Sequence, residues 1–412
     1  MHLLILTPAL PYPTHQGGAL RNFGLIRGLA EHGYQITLLS FSEKDVEASK
    51  TPLADYCEKI ETVPILSRSK KERIRDLILK PQPDLALRLE SNVFREKLQA
   101  LLKETAFDVV HFEGLEMAIY LPLVQALQPK AKRIYDAHNA EFSLQKAISH
   151  IDRKHWKRFP AAVYSTIQAH RIAYFEKSIC ENAHAVICVS SEDREALKTL
   201  APKSKFYVIP NGIYTADYLA NEQNSDPNTQ NLDLGEYPIV FTGKMDYRPN
   251  IDAIVWMANN ILPLIQEKIH GAKLIVVGQK PPHSIQALNA HHNIEITGWV
   301  PAVQPYLYAA RAYVAPLRMG SGTRLKLLEA FAAGCATVAT PLAAAGLESA
   351  MDDVFVRAET AETFANAVIH ILQDDAYRKV LGEKAQKAVQ TYYDWQNLIP
   401  LVVNYHQEVL GG

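Results

Sequence analysis

The sequence predicts two α/β domains in tandem, each a doubly wound parallel sheet. Its 412 residues exceed the ~250–300 that one hydrophobic core usually serves. Short runs rich in Val, Ile and Leu alternate with helical patterns along almost the entire chain. The alternation runs twice, on either side of the polar, Asn-rich segment "ANEQNSDPNTQNLDLGE" at 220–236. Near-continuous aliphatic strands imply burial on both faces, hence parallel sheets covered by helices.

In the first half the expected strands are 3–7, 35–41, 108–113, 133–138, 185–190 and 206–210. In the second half they are 239–243, 273–278, 294–298, 312–317, 336–340 and 353–356. The boundary is expected at "IPNGI", where Pro210 holds Ile209 extended and Asn211-Gly212 supplies a turn. This gives an N-terminal domain over 1–210 and a C-terminal domain over 211–394. A last helical pattern, 395–412, follows the second domain and is expected to pack back on the first.

Hydrophobic content of 48% and charged content of 21% are those of a soluble globular chain. A net charge of −1 gives no argument for nucleic acid. The four cysteines share no CxxC and fit a reducing cytoplasm, with no zinc site or disulfide framework. No run of 18 apolar residues exists to span a membrane, and "MHLLILTPALPYP" reads as a buried first strand rather than a signal peptide.

Ligands of open α/β sheets bind outside the carboxyl ends of the strands. The residues that follow strands are therefore the candidates. In "PLRMGSGTRLKLLEAFAAG", 316–334, Gly320, Ser321 and Gly322 precede a helix expected to open near Thr323. Arg324 and Lys326 stand in its first turn, where the helix dipole disfavours cations by ~0.3–1 kcal/mol each. A bound phosphate would reverse that preference. Glu329 lies ~9 Å along the axis from the helix start. That is about the reach from a diphosphate to the ribose of the same nucleotide, where a carboxylate can accept two hydroxyls. The alternative is a surface helix with ordinary solvated charges.

In "FTGKMDYRPN", Gly243 closes a strand, Lys244 follows it and Arg248 precedes the next helix. Lys244 is either a second diphosphate contact or a solvated lysine. Gly17 and Gly18 between the first strand and helix either let a ligand approach or simply form a turn. They do not form GxGxxG with a downstream acid, which disfavours a nicotinamide cofactor. His138 closes one strand, among Asp136, Asn139 and Glu141, and His111 closes the preceding one with Glu113. Each is either a satisfied buried histidine or a site residue. No HExxH, EF-hand or Cys/His cluster is present, so no metal cofactor is expected.

With these residues in place, the chain resembles the retaining glycosyltransferases of family 4. The segments that carry the resemblance are "QGGALRNFGLIRGLAEHGYQITLL", "DVVH", "DAHN", "IPNGI", "FTGKMDYRPN" and "PLRMGSGTRLKLLEAFAAGCATVAT". The resemblance implies GT-B architecture, two Rossmann-like domains facing across a cleft. It implies a nucleotide-diphosphate sugar as donor and a glycan or lipid-linked acceptor. It also implies retention of anomeric configuration, a hexosyltransferase in polysaccharide biosynthesis, and no metal.

By position, Gly17 and Gly18 approach the donor or acceptor, and His138 lies beside the transferred sugar. Lys244 binds the diphosphate, with Arg248 the nearest candidate for a second basic residue. Glu329 is the second glutamate of the family's E-x7-E motif and binds the ribose. The first falls at Ser321, as in the subset carrying "GxGTRLKxxE". The sugar contact then passes to backbone around Gly320–Gly322 or to Arg318, Arg324 or Lys326. The catalytic set implied is His138, Lys244 and Lys326. Gly17, Gly18, Gly243, Arg248, Gly320, Ser321, Gly322, Thr323, Arg324 and Glu329 bind the donor.

Two other readings stay open at this stage: a sugar-nucleotide epimerase of the same architecture, and a non-catalytic nucleotide-sugar-binding protein. The basic segments 67–80 and 153–159 read either as solvated helix faces, the favoured reading, or as a surface resting on anionic lipid at the inner face of the membrane.

Overall fold

A computed structural model describes residues 1–14, 17–43, 47–65, 68–146, 159–219, 232–319, 325–347 and 349–411. The chain divides into two compact units. Unit 1 comprises Met1–Pro210 with Leu398–Gly412, and unit 2 comprises Asn211–Asn397.

Among its described residues unit 1 carries a seven-stranded sheet. Its strands are β1 His2–Thr7, β2 Gln35–Ser42, β3 Lys59–Pro64, β4 Val109–Glu113, β5 Lys132–Ala137, β6 Ala185–Cys188 and β7 Phe206–Val208. All pairs are parallel, in the order β3-β2-β1-β4-β5-β6-β7. The winding direction reverses between β1 and β4. The helices Gly17–Glu31 and Asn92–Glu104 are among those that return the chain to the sheet. β4 is buried at every position, as the continuous aliphatic pattern demands.

Unit 2 carries six described strands: β8 Tyr237–Thr242, β9 Ala272–Val277, β10 Ile294–Gly298, β11 Ala312–Ala315, β12 Thr337–Ala339 and β13 Val356–Arg357. They too are all parallel, in the order β10-β9-β8-β11-β12-β13, so the winding reverses between β8 and β11.

Two features differ from the sequence expectation. β3, "KIETVP", was not expected, because it lacks a continuous aliphatic run. It is an edge strand paired only with β2, mostly half-buried, and Lys97 and Glu104 meet its charged side chains Glu61 and Lys59. The last strand of unit 2 is Val356–Arg357 rather than 353–356, since only those two positions pair with β12. Residues 220–231 of the Asn-rich segment and 153–158 of the second basic segment lie outside the described residues.

The final helix, Trp395–Gly411, starts in unit 2 and has most of its length in unit 1. Tyr405 stacks on Tyr207 at 4.0 Å between centroids, and His406 is fully buried against β4.

The ends of β8 and β9 approach as backbone on backbone. A Cβ on Gly278 would fall 1.8 Å from the Gly243 carbonyl oxygen, and Gly243 itself has φ +150°. Both positions therefore require glycine. Gly278→Ala is expected to cost ~1–3 kcal/mol through forced displacement of this contact. An unchanged urea midpoint would show that the two strand ends can part freely.

Candidate functional site

Two groups of residues collect at the carboxyl ends of strands beside the two winding reversals, one in each unit.

In unit 1 the group lies past β1, β4 and β5. Gly17 and Gly18 open the first helix, and both are exposed. Three residues on, Arg21 is buried and makes a two-pronged ion pair with Asp136, its Nη2 donating to the two carboxylate oxygens at 3.1 and 2.9 Å. Its Nη1 donates to the carbonyls of Ile209 and Pro210, at 3.2 Å each. A buried pair of this kind survives because the fork fills both carboxylate oxygens and the guanidinium finds further acceptors.

Glu113, fully buried at the end of β4, accepts from two histidines. His111 Nδ1 is 3.2 Å from Oε1, and His138 Nε2 is 3.2 Å from Oε2. Burial alone would raise the Glu113 carboxyl, but the two histidine hydrogen bonds hold it well below the usual carboxylate range. His138 is half-buried. Burial opposes its proton, yet the Glu113 hydrogen bond and the charges of Asp136 and Glu113 outweigh that, so its pKa is raised.

The other ring nitrogen of His138, Nδ1, lies against glycine. A Cβ on Gly18 would stand 4.0 Å from it and one on Gly114 3.9 Å. Glu113, Asp136 and His138 can bring one ligand atom each within 4.8 Å of one another. The fork from Arg21 already supplies a cation at Asp136, so the group reads as an ion network rather than a metal cage.

In unit 2 the group lies past β8 and β11. The described part of the helix after β11 is Leu325–Ala332; Gly320, Ser321, Gly322, Thr323 and Arg324 lie outside the described residues. Lys326, in its first turn, points to the end of β8. Its Nζ donates to Asn250 Oδ1 at 2.8 Å and sits 4.1 Å from the Phe241 ring centroid. A Cβ on Gly243 would fall 2.6 Å from that nitrogen. Asn250 also fixes the loop, donating to the Lys244 carbonyl at 2.8 Å. Lys244 is half-exposed, with Asp246 at 3.5 Å. Arg248 opens the helix Arg248–Trp256 and is exposed.

Glu329, one turn beyond Lys326, is half-buried and accepts from the Tyr218 hydroxyl at 2.8 Å. Burial raises its pKa, while the Tyr218 hydrogen bond and the Lys326 charge act in the opposite direction. The Tyr218 hydroxyl gives Glu329 a polar partner among Leu327, Leu328, Ala330 and Phe331. Arg318, one of the residues offered for the sugar contact, is committed elsewhere. Its guanidinium forks onto Asp252 at 3.0 and 2.7 Å and lies over the Trp256 ring.

Sequence reasoning singled out neither Arg21 nor Tyr218. An arginine between Leu20 and Phe23 on the first helix was a usable signal, since an apolar neighbourhood demands a buried partner. Tyr218 carried no signal, because its partner lies 111 residues away.

The raised His138 pKa has a sign for stability. The folded ring binds its proton more tightly than the unfolded chain, so its contribution is full below ~6.5 and lost as pH rises through the folded value. His138→Gln should remove that part of the slope when urea midpoints are compared from acidic to mildly alkaline pH. An identical slope in the variant would mean that His138 is neutral throughout.

Comparison with known proteins gives the family. Residues 16–217 match the model described as Glycosyltransferase Family 4, and residues 236–374 match that of Glycosyl transferases group 1. An uncharacterized 44.6 kDa protein in the cps region of Klebsiella pneumoniae is 20% identical over 402 residues, 95% of this chain and 96% of that one. Among solved structures, the sucrose-phosphate synthase of Thermosynechococcus elongatus aligns over 100% of both chains, with a TM-score of 0.73 and 17% identity. Anabaena HepE, in complex with UDP and glucose, aligns over 98% of this chain and 99% of its own, with a TM-score of 0.67 and 12% identity. The two structures share the fold, and by the two matched segments the chain belongs to the group 1 / family 4 glycosyltransferases.

Proposed function

We propose that the chain transfers a hexosyl group from a nucleotide-diphosphate sugar to a glycan or lipid-linked acceptor, with retention of configuration and with protein cations carrying the charge of the leaving diphosphate. The observation that carries this reading is the pair Lys326 and Glu329, one helical turn apart, with Lys326 held at the Gly243 end of β8 by Asn250 and Phe241. With the diphosphate at the strand end that the Lys326 ammonium faces, the ribose would come within reach of Glu329.

Lys244 and Lys326 stabilise the negative charge that develops as the diphosphate departs, with no reorganisation at the moment of reaction. Glu329, preset by Tyr218, accepts from the ribose hydroxyls. Gly243 makes the room in which the Lys326 ammonium stands. In unit 1, His138 is the group assigned to the transferred sugar, with Gly18 beside it and Gly17 next in the chain. The acceptor hydroxyl forms its bond to the anomeric carbon on the face from which the diphosphate departs, and its proton passes to a donor phosphate oxygen, so the enzyme supplies neither nucleophile nor base.

The likeness to a protein bound to UDP and glucose makes a uridine nucleotide the first donor to try. A relative in a cps region supports polysaccharide biosynthesis as the setting.

The donor site is tested by thermal shift with nucleoside diphosphates and their sugars in EDTA, because a ligand of the folded state raises the melting temperature. One nucleotide family should stabilise selectively. Glu329→Ala and Lys326→Ala should each weaken its binding by ~1–3 kcal/mol. Unaltered affinity in both folded variants would remove the nucleotide from this helix. Nucleotide release that needs no acceptor would turn the assignment toward an epimerase.

For the acceptor side, the helix Lys70–Leu79 presents Ile74, Ile78 and Leu79 at 61%, 74% and 72% exposure, with Lys71 and Arg75 also exposed. Residues 71, 74, 75 and 78 share one helical face. Apolar side chains rimmed by cations suit a peripheral contact with an anionic lipid surface. Among the described residues no helix is long and apolar enough to cross a membrane. The chain should sediment with vesicles containing phosphatidylglycerol at low salt and stay in solution with phosphatidylcholine alone; equal behaviour with both would end the idea.

A further inference from the structure

Behind His138 runs a buried chain of hydrogen bonds that the transfer chemistry does not use directly. It starts at the Tyr34 hydroxyl, 3.1 Å from His406 Nδ1. His406 Nε2 is 2.8 Å from His111 Nε2, and the two rings meet nearly edge to face at 75°. His111 Nδ1 then reaches Glu113 Oε1, and the opposite oxygen, Oε2, reaches His138 Nε2 at 3.2 Å each. His111, Glu113 and His406 have no exposed surface, and Tyr34 is buried. The members come from β4, the segment entering β2 and the final helix. All belong to unit 1.

The chemistry of each member orients the chain. An ionised carboxylate only accepts, so both histidines facing Glu113 donate: His111 through Nδ1–H and His138 through Nε2–H. Two ring nitrogens 2.8 Å apart share one hydrogen. Burial pushes His406 well below the ordinary histidine range, so it carries a single N–H. A neutral His111 has its one hydrogen on Nδ1, facing Glu113, so the shared hydrogen sits on His406 Nε2. His406 Nδ1 is then an acceptor for the Tyr34 hydroxyl.

We propose that this chain, Tyr34 to His406 to His111 to Glu113, is the positioning device of His138, fixing it as the Nε2–H tautomer with Nδ1 turned to the substrate. Glu113, His111 and His406 are positioning residues, and none of them is assigned a contact with the reacting atoms. The final helix thereby sets which face of a histidine 268 positions earlier in the chain meets the sugar (406 − 138). Nδ1 has no hydrogen bond to a described residue, and the two backbone positions nearest it, Gly18 and Gly114, carry no side chain. The inference rests on the reading of His138 as the group that meets the transferred sugar.

The test is ¹⁵N-histidine NMR of the full chain, at a pH well above the histidine range so that the rings are neutral, with resonances assigned by single His→Gln variants. His138 and His406 should give the Nε2–H pattern and His111 the Nδ1–H pattern. His138 or His111 in the other tautomer would overturn the proposal.

Glu113→Gln adds a readout that a merely structural role would not move. The amide oxygen should stay with His111, which His406 still orients, leaving the amide N–H to face His138. His138 should then invert to the Nδ1–H tautomer, and turnover should fall at least ~10-fold with little change in the KM for the nucleotide sugar. A folded variant whose His138 keeps the wild-type pattern would refute the directional chain. Should E113Q not fold, the wild-type pattern decides alone. Failure of the functional reading shows separately: His138→Ala with undiminished transfer would sink the role of His138 while leaving the spectrum of the native chain as it was.

Discussion

The buried fork between Arg21 and Asp136 is the constraint on which unit 1 depends. It joins the first helix, the strand that leads to His138 and, through the carbonyls of Ile209 and Pro210, the last residues before unit 2. A charge placed there without its partner would cost ~3–5 kcal/mol, so the three segments are held together or not at all. The first helix cannot shift along the sheet without stranding Asp136. That fixes where Gly17 and Gly18 stand relative to β5.

Among its described residues unit 2 solves the same problem without a buried ion pair. Glycine does the work: Gly278 and Gly243 bring two strand ends into backbone contact, and the space left at Gly243 admits the Lys326 ammonium. Cation and aromatic ring then meet at 4.1 Å, with Asn250 holding both the lysine and the loop. One unit orders its strand ends by charge and the other by the absence of side chains. In each, the ordered residues gather where the winding of the sheet reverses, as open α/β sheets favour.

Much of this was legible in the sequence because the physics was local. Central strands such as β1, β4 and β9 read directly from continuous aliphatic runs, which only burial on both faces explains. β3 escaped because an edge strand needs no such run. Among the candidates, Gly243, Lys244, Lys326, Glu329 and His138 stood out by their positions after strands or in a helix's first turn. The partners that define their states were not: Tyr218 for Glu329, Asn250 for Lys326, His406 behind His111. Such contacts join residues tens to hundreds of positions apart, and no periodicity encodes them.

The final helix has a consequence for synthesis on the ribosome. Domains emerging from the N-terminus generally begin to fold as they appear, and all seven described strands of unit 1 have been made by Val208. Yet His111 and Tyr34 find His406 only after the whole of unit 2 has been translated. Until then a nascent unit 1 holds an incomplete interior, with an imidazole nitrogen of His111 still without the His406 partner it has in the finished chain. The N-terminal half thus matures last, when the final turns of the chain dock. A chain cut short before residue 406 would carry both sheets but keep that nitrogen unmet.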